Sequence, residues 1–188
     1  MSFSLVVIAL AMAAPPPTPQ AGVIIGQVQP VRPKDQLVAF VAGTRRAAPV
    51  VWEIFQNGAR FTPTFLAVSV GDRVFFPNAD RLTHSVFSVS KPAAFDTGLY
   101  KPGIARSAHM RRPGLVNLFC SIHSNMHSKV VVVPSAHFVV ADADGRFRLP
   151  EVPAGPQELI IWRGTKEVGR AVVQVQAGRE ATVEVRGR

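Results

Sequence analysis

The sequence predicts an all-β protein made of two successive β-sandwich units. Short runs of β-branched and aromatic residues recur along the 188-residue chain, each bounded by Gly, Pro, Asn or Asp. No stretch repeats apolar residues at a long, unbroken helical period. After Pro134 the pattern changes to evenly spaced hairpins. The expected organisation is a leader with a Pro-rich linker at 1–21, a first β domain at 22–134 and a small β-sandwich at 135–188.

The leader reads "MSFSLVVIALAMAAPPPTPQ". Its apolar run, residues 5–14, is too short to span a bilayer but suits the h-region of an export signal. Ala11-Met12-Ala13 offers a cleavage site, although no basic residue precedes the run. The expectation is a periplasmic or otherwise exported protein with no stable membrane insertion once the signal is removed.

Strands are then expected at "GVIIGQV", "DQLVAFVAG", "PVVWEIFQ", "FLAVSVGDRVFFPN", "HSVFSVS", "GLVNLFC" and "KVVVVPS", paired antiparallel in a sandwich. Gly71-Asp72 supplies a tight turn inside "SVGDRV". Phe75, Phe76, Phe87 and Phe119 are expected in the core and around the site described below. Beyond Pro134, "HFVVADADGRFRLPEVPAGPQELIIWRG" reads as three strands with turns between them. "EVGRAVVQVQAGREATVEVRG" adds two more across Ala177-Gly178, and Trp162 is expected in the core of this unit. At about fifty residues it is near the lower limit for folding alone, so it should pack on the first domain. Asp142 and Asp144 lack the further oxygen ligands of a calcium loop and are read as a hairpin turn.

Net charge is +9, yet the Lys and Arg are scattered and form no basic helix, zinc-finger spacing or RNA-binding strand motif. This argues against nucleic acid and leaves an acidic protein partner open. The single cysteine excludes an internal disulfide, and an exported lone thiol is prone to oxidation unless something holds it.

That cysteine opens Cys120-x-x-His123-x-x-Met126, between the expected strands "GLVNLFC" and "KVVVV". A lone Cys is more often inert packing and a lone Met a gap filler. Thiolate, imidazole and thioether turned toward one point by a short loop together favour copper, which in a blue site also takes a second imidazole. His84, which starts a strand after "PNADRLT", is the candidate. His109 sits among polar residues, His127 should face away from Met126 by strand alternation, and His137 lies in the second unit. A structural zinc site would not use Met, and a catalytic thiol would need an orienting third group that the sequence does not offer.

"FTPTFLAVSVGDRVFFPNADRLTHSVFSVS", "FDTGLY" and "PGLVNLFCSIHSNM" resemble the cupredoxins, small blue copper proteins of the plastocyanin and amicyanin type. The chain is most similar to bacterial proteins labelled methylamine utilisation proteins, in which a cupredoxin precedes a carboxypeptidase-regulatory-like β-sandwich. The resemblance is strongest over 61–134. It implies a Greek-key sandwich and one type 1 copper ion. His84, Cys120 and His123 would be the trigonal ligands and Met126 the weak axial one. It also implies a one-electron carrier, not an enzyme, that meets a transient, acidic redox partner. One position departs: the family commonly has Asn after the first histidine ligand, tying the two ligand loops, and here Ser85 stands there with a shorter reach. The alternatives are a copper storage or delivery protein, or an interaction module with a vestigial site.

Overall fold

The structure, a computed structural model, describes residues 21–32 and 34–187. The expected leader therefore lies, apart from Ala21, outside the described residues. Two strands open the chain, β1 (Ala21–Gln29) and β2 (Leu37–Val41). Ten follow: β3 (Val51–Glu53), β4 (Phe55–Gln56), β5 (Phe61–Thr62), β6 (Phe65–Ser69), β7 (Arg73–Pro77), β8 (Phe87–Ser88), β9 (Phe95–Asp96), β10 (Ala105–His109), β11 (Gly114–Phe119) and β12 (His127–Val133). The last five are β13 (Phe138–Val140), β14 (Arg146–Pro153), β15 (Gly155–Arg163), β16 (Lys166–Val175) and β17 (Glu180–Arg186). The described residues form no helix, as the all-β reading expects.

In the first unit a three-stranded sheet, β10-β7-β3, faces a five-stranded one, β6-β12-β11-β8-β9. Alternate residues point into the space between them, including Val74 and Phe76 from β7, Val116 and Leu118 from β11, and Val130 and Val132 from β12. The turn at Gly71 (φ +95°) carries the chain from one sheet to the other. Buried Asp72 holds it by accepting bonds from Ser69 N–H (2.9 Å), Val50 N–H (2.9 Å) and the Trp52 indole (2.8 Å). The Asn57-Gly58-Ala59-Arg60 hairpin between β4 and β5 has positive φ at both central residues, 59° and 51°.

The sheets divide the chain differently from the expected boundary at residue 22. β1 pairs antiparallel with β14 and parallel with β17, and β2 lies between β13 and β15. Residues 21–41 thus belong to the second unit, whose core holds Ile24, Val28 and Val41 beside Leu149, Leu159 and Val175. A strand's alternation marks its buried face but names neither its partner nor that partner's direction. For the same reason the expected antiparallel pairing holds only in part, since β3–β7 and β6–β12 are also parallel.

The outer face of the five-stranded sheet meets the second unit through Ala67, Val131 and Val133 against Val38, Phe40 and Ile160. β12 is therefore buried on both faces, which is why "VVVV" is uninterrupted. Trp162 packs edge-on against Phe40 (4.9 Å, 82°) at this junction, instead of within the second unit's own core. Arg46 spans the same seam: it pairs with Asp72 (3.2 Å), donates to Ala136 C=O and lies over the Phe138 ring. Among the four singled-out phenylalanines, Phe76 is in the core. Phe119 is 38% exposed and pairs across strands with half-buried Phe87, because alternation puts it opposite Leu118 and Cys120.

Candidate metal centre

β11 and β12 form an antiparallel hairpin whose connection is residues 120–126, so Cys120 leaves one strand and Met126 enters the other. A turn closed by Met126 N–H to His123 C=O (3.0 Å) directs the loop back over the end of the sandwich. His84 comes from the segment between β7 and β8. Two reciprocal backbone bonds with Tyr100 fix it, His84 N–H to Tyr100 C=O (3.1 Å) and Tyr100 N–H to His84 C=O (2.8 Å). The Tyr100 hydroxyl is buried on Phe76 C=O (3.0 Å), and burial pushes its pKa up to about 12.

This framework brings His84, Cys120 and His123 together, with one ligand atom from each lying within 4.8 Å of the others. The two Nδ1 atoms are 3.0 Å apart, and Cys120 Sγ is 3.7 Å from His123 Nδ1. His84 and Cys120 are buried, while His123 is partly open to solvent. Met126 is buried in the same apolar cluster as Cys120. His109 and His127 are exposed and His137 is half-buried in the segment entering β13, so these three stand apart from the cluster.

The surroundings select the chemistry of each group. His84 Nε2 lies 3.0 Å from Asp80 Oδ2. Asp80 is held to a pKa of about 2, chiefly by Ala59 N–H and then by His84 and Arg81 N–H. An ionised carboxylate only accepts, so the His84 proton sits on Nε2 and the Nδ1 lone pair faces the cluster. Burial pushes the Cys120 thiol up, but the backbone N–H groups of Ser85 and Ile122, with the His123 and Ser85 side chains, outweigh it and leave the pKa lowered. The cluster thus offers a thiol that ionises more readily than usual and two imidazole nitrogens in one largely buried place. This donor set fits a soft or borderline transition metal, copper above all, and does not fit calcium or magnesium.

Five contributors were not singled out in the sequence: Asp80, Ala59, Tyr100, Ser121 and Asn125. Ala59 donates to Asp80 (2.7 Å) and accepts from Asn125 (3.3 Å), joining the β4–β5 hairpin to both ligand segments. Asn57-Gly58 is a strong hairpin signal that would have placed this turn. Ser85, the departure from the family pattern, does tie the loops, since its Oγ accepts Ser121 N–H (2.9 Å). In the other unit, Asp142 Oδ1 accepts the N–H groups of Asp144 (2.9 Å) and Arg146 (2.8 Å), as a hairpin turn requires.

No protein-family model and no curated protein matches the chain. Solved structures do. A purple cupredoxin from Nitrosopumilus maritimus is 21% identical, with 44% of this chain and 99% of that one covered and a TM-score of 0.40. A Cu(I) amicyanin variant is 24% identical over 50% of this chain and 98% of its own, with a TM-score of 0.41. A reduced amicyanin variant is 28% identical over 50% and 91%, with a TM-score of 0.40.

Proposed function

We propose that the first unit binds one type 1 copper ion through His84, Cys120 and His123, with Met126 as the weak axial ligand, and carries single electrons between exported redox proteins. One observation carries this reading: two imidazole nitrogens and the chain's single thiol converge within 4.8 Å at one end of a β-sandwich. Copper held there would supply a one-electron couple between Cu(II) and Cu(I). One electron enters from a reduced donor and one leaves to an oxidised acceptor, so each cycle returns the protein unchanged and it has no substrate of its own.

The chain's residues make that cycle inexpensive in motion. The β11–β12 hairpin fixes Cys120, the Tyr100 bridge and Asp80 fix His84, and the Ser85–Ser121 bond joins the two segments. Ligands so braced keep their places whichever charge the centre carries. His123, the most open of the three, is the route to a partner. Exposed Leu82, Leu99 and Ile122 lie on the segments that carry or brace the ligands and suit a small, transient contact. Residues 43–134 hold eleven Lys and Arg against four Asp and Glu, a field that would steer an acidic partner.

The test is the visible and EPR spectrum after one equivalent of Cu(II), beside Cys120→Ala. An intense blue charge-transfer band with narrow copper hyperfine splitting, lost in the variant, is expected. A colourless protein that still binds Cu(I) would overturn electron carriage in favour of storage or delivery. Absence of any copper binding would overturn the site itself.

A further inference from the structure

We infer that the Ser85 hydroxyl donates a hydrogen bond to Cys120 Sγ and thereby raises the reduction potential of the centre; this rests on the copper reading above. Ser85 is buried, and its Oγ lies 3.8 Å from Cys120 Sγ, 2.9 Å from Ser121 N and 2.8 Å from Ser121 Oγ. A hydroxyl has one proton and two lone pairs. Ser121 N–H occupies one lone pair. Ser121 is exposed, so its own hydroxyl can donate to the second lone pair while accepting from water. That arrangement leaves the single Ser85 proton facing the sulfur. Ser85 then donates to the same sulfur twice, from its backbone N–H and from its side chain.

The effect on potential follows from charge. Adding an electron increases the negative charge at the centre, much of it on the thiolate. A donor aimed at the sulfur stabilises the reduced form more than the oxidised one. Ser85 therefore does two separable things: its lone pair ties the loops through Ser121 N–H, and its proton tunes the sulfur. A side-chain amide at this position would offer longer-reaching N–H donors in place of the hydroxyl proton, so the substitution changes the electronics as well as the reach.

The experiment measures the reduction potential and the sulfur-to-copper charge-transfer band of the copper-loaded full chain in four forms: unaltered, Ser85→Ala, Ser85→Thr and Ser121→Ala. Ser85→Ala should lower the potential and move the band to longer wavelength, because the sulfur loses a donor. Ser85→Thr, which keeps the hydroxyl, should restore both. Ser121→Ala keeps the Ser121 N–H tie and should leave the potential nearly unchanged. A clear rise in Ser121→Ala would mean that Ser85 had been donating to Ser121 instead, and would overturn the proposal. So would an unshifted potential in Ser85→Ala, or a Ser85→Thr that fails to recover. Should Ser85→Ala not hold copper, the Thr and Ser121 variants still decide the question. Failure of the unaltered protein to bind copper would overturn the copper reading and this proposal with it, whereas the variant outcomes above overturn this proposal alone.

Discussion

The two units are both β-sandwiches, yet they bury different things. The interior of the first holds Gln56, Asn78, His84, Ser85 and Ser88 among its apolar side chains, with Asp72 and Ser69 at its lower turn. In the second, the buried cluster around Ile24, Phe147, Leu159 and Val185 includes no polar side chain among the described residues. A buried polar group costs stability unless it is partnered, and most in the first unit do bind a specific neighbour, Gln56 Oε1 being without one among the described residues. Those that touch the ligand segments, Asn78, His84 and Ser85, serve to fix the ligands. Among the described residues the second unit brings together no such cluster, and the chain reverses at Asp142–Gly145 and Ala177–Gly178. Charge divides in the same way. Residues 43–134 carry a large basic excess, whereas the second unit sets Arg148 against Glu180 and Arg170 against Glu158 and Glu167 on its surface.

That contrast can be broken or sharpened by substitution. The largest effect is expected where the units meet. Phe40→Ala removes a fully buried ring that contacts Trp162, and should destabilise the protein by about 3–5 kcal/mol. If the units fold as one body, denaturant unfolding should also change from a single transition to two, read by tryptophan fluorescence and circular dichroism. Next is Asp72→Ala, which leaves two backbone N–H groups and the Trp52 indole without their acceptor. A loss of about 3 kcal/mol is expected, and a loss under half of that would show that water replaces the carboxylate.

In the second unit, apolar fit is the vulnerability. Gly26 sits under the Phe147 ring, and a Cβ there would lie 2.3 Å from it. Gly26→Ala should cost about 1–3 kcal/mol in thermal or denaturant unfolding while leaving the copper spectrum unaltered. The smallest effect is a pH slope in the first unit. The folded pKa of Asp80, about 2, lies below its ordinary 3.8. Its contribution to stability is therefore complete above about pH 4 and is lost as pH falls toward 2. Asp80→Asn should flatten the denaturation midpoint over that window, and an unchanged slope would show that the bonds to the carboxylate, Ala59 N–H first and His84 next, add nothing to stability.

Much of the centre could be read from the chain because its ligands are chemically distinctive. A single cysteine in Cys120-x-x-His123-x-x-Met126, with His84 at an upstream strand start, left few ways to choose. Asp80 was harder. It stands four residues before His84, but that segment is a loop, so no helical period predicts the contact. It becomes visible only when the β4–β5 hairpin brings Ala59 N–H against the carboxylate. The positions of Phe87 and Phe119 were misjudged for a related reason: hydrophobicity argues for burial, while alternation fixes which face of β11 is inside.

The sequence by itself determined most of the strands and the donor set, since each depends on neighbours a few residues apart, but not β9, β10 or the Gly58-Ala59 turn. Only the tertiary structure decided that β1 and β2 join the C-terminal strands, that β6 and β12 run parallel, and that the second unit covers the outer face of the five-stranded sheet. Those outcomes rest on pairings between distant segments, such as Gln27 with Glu184 and Ala67 with Val131. They depend on how two complete apolar faces fit, and no local pattern encodes that fit.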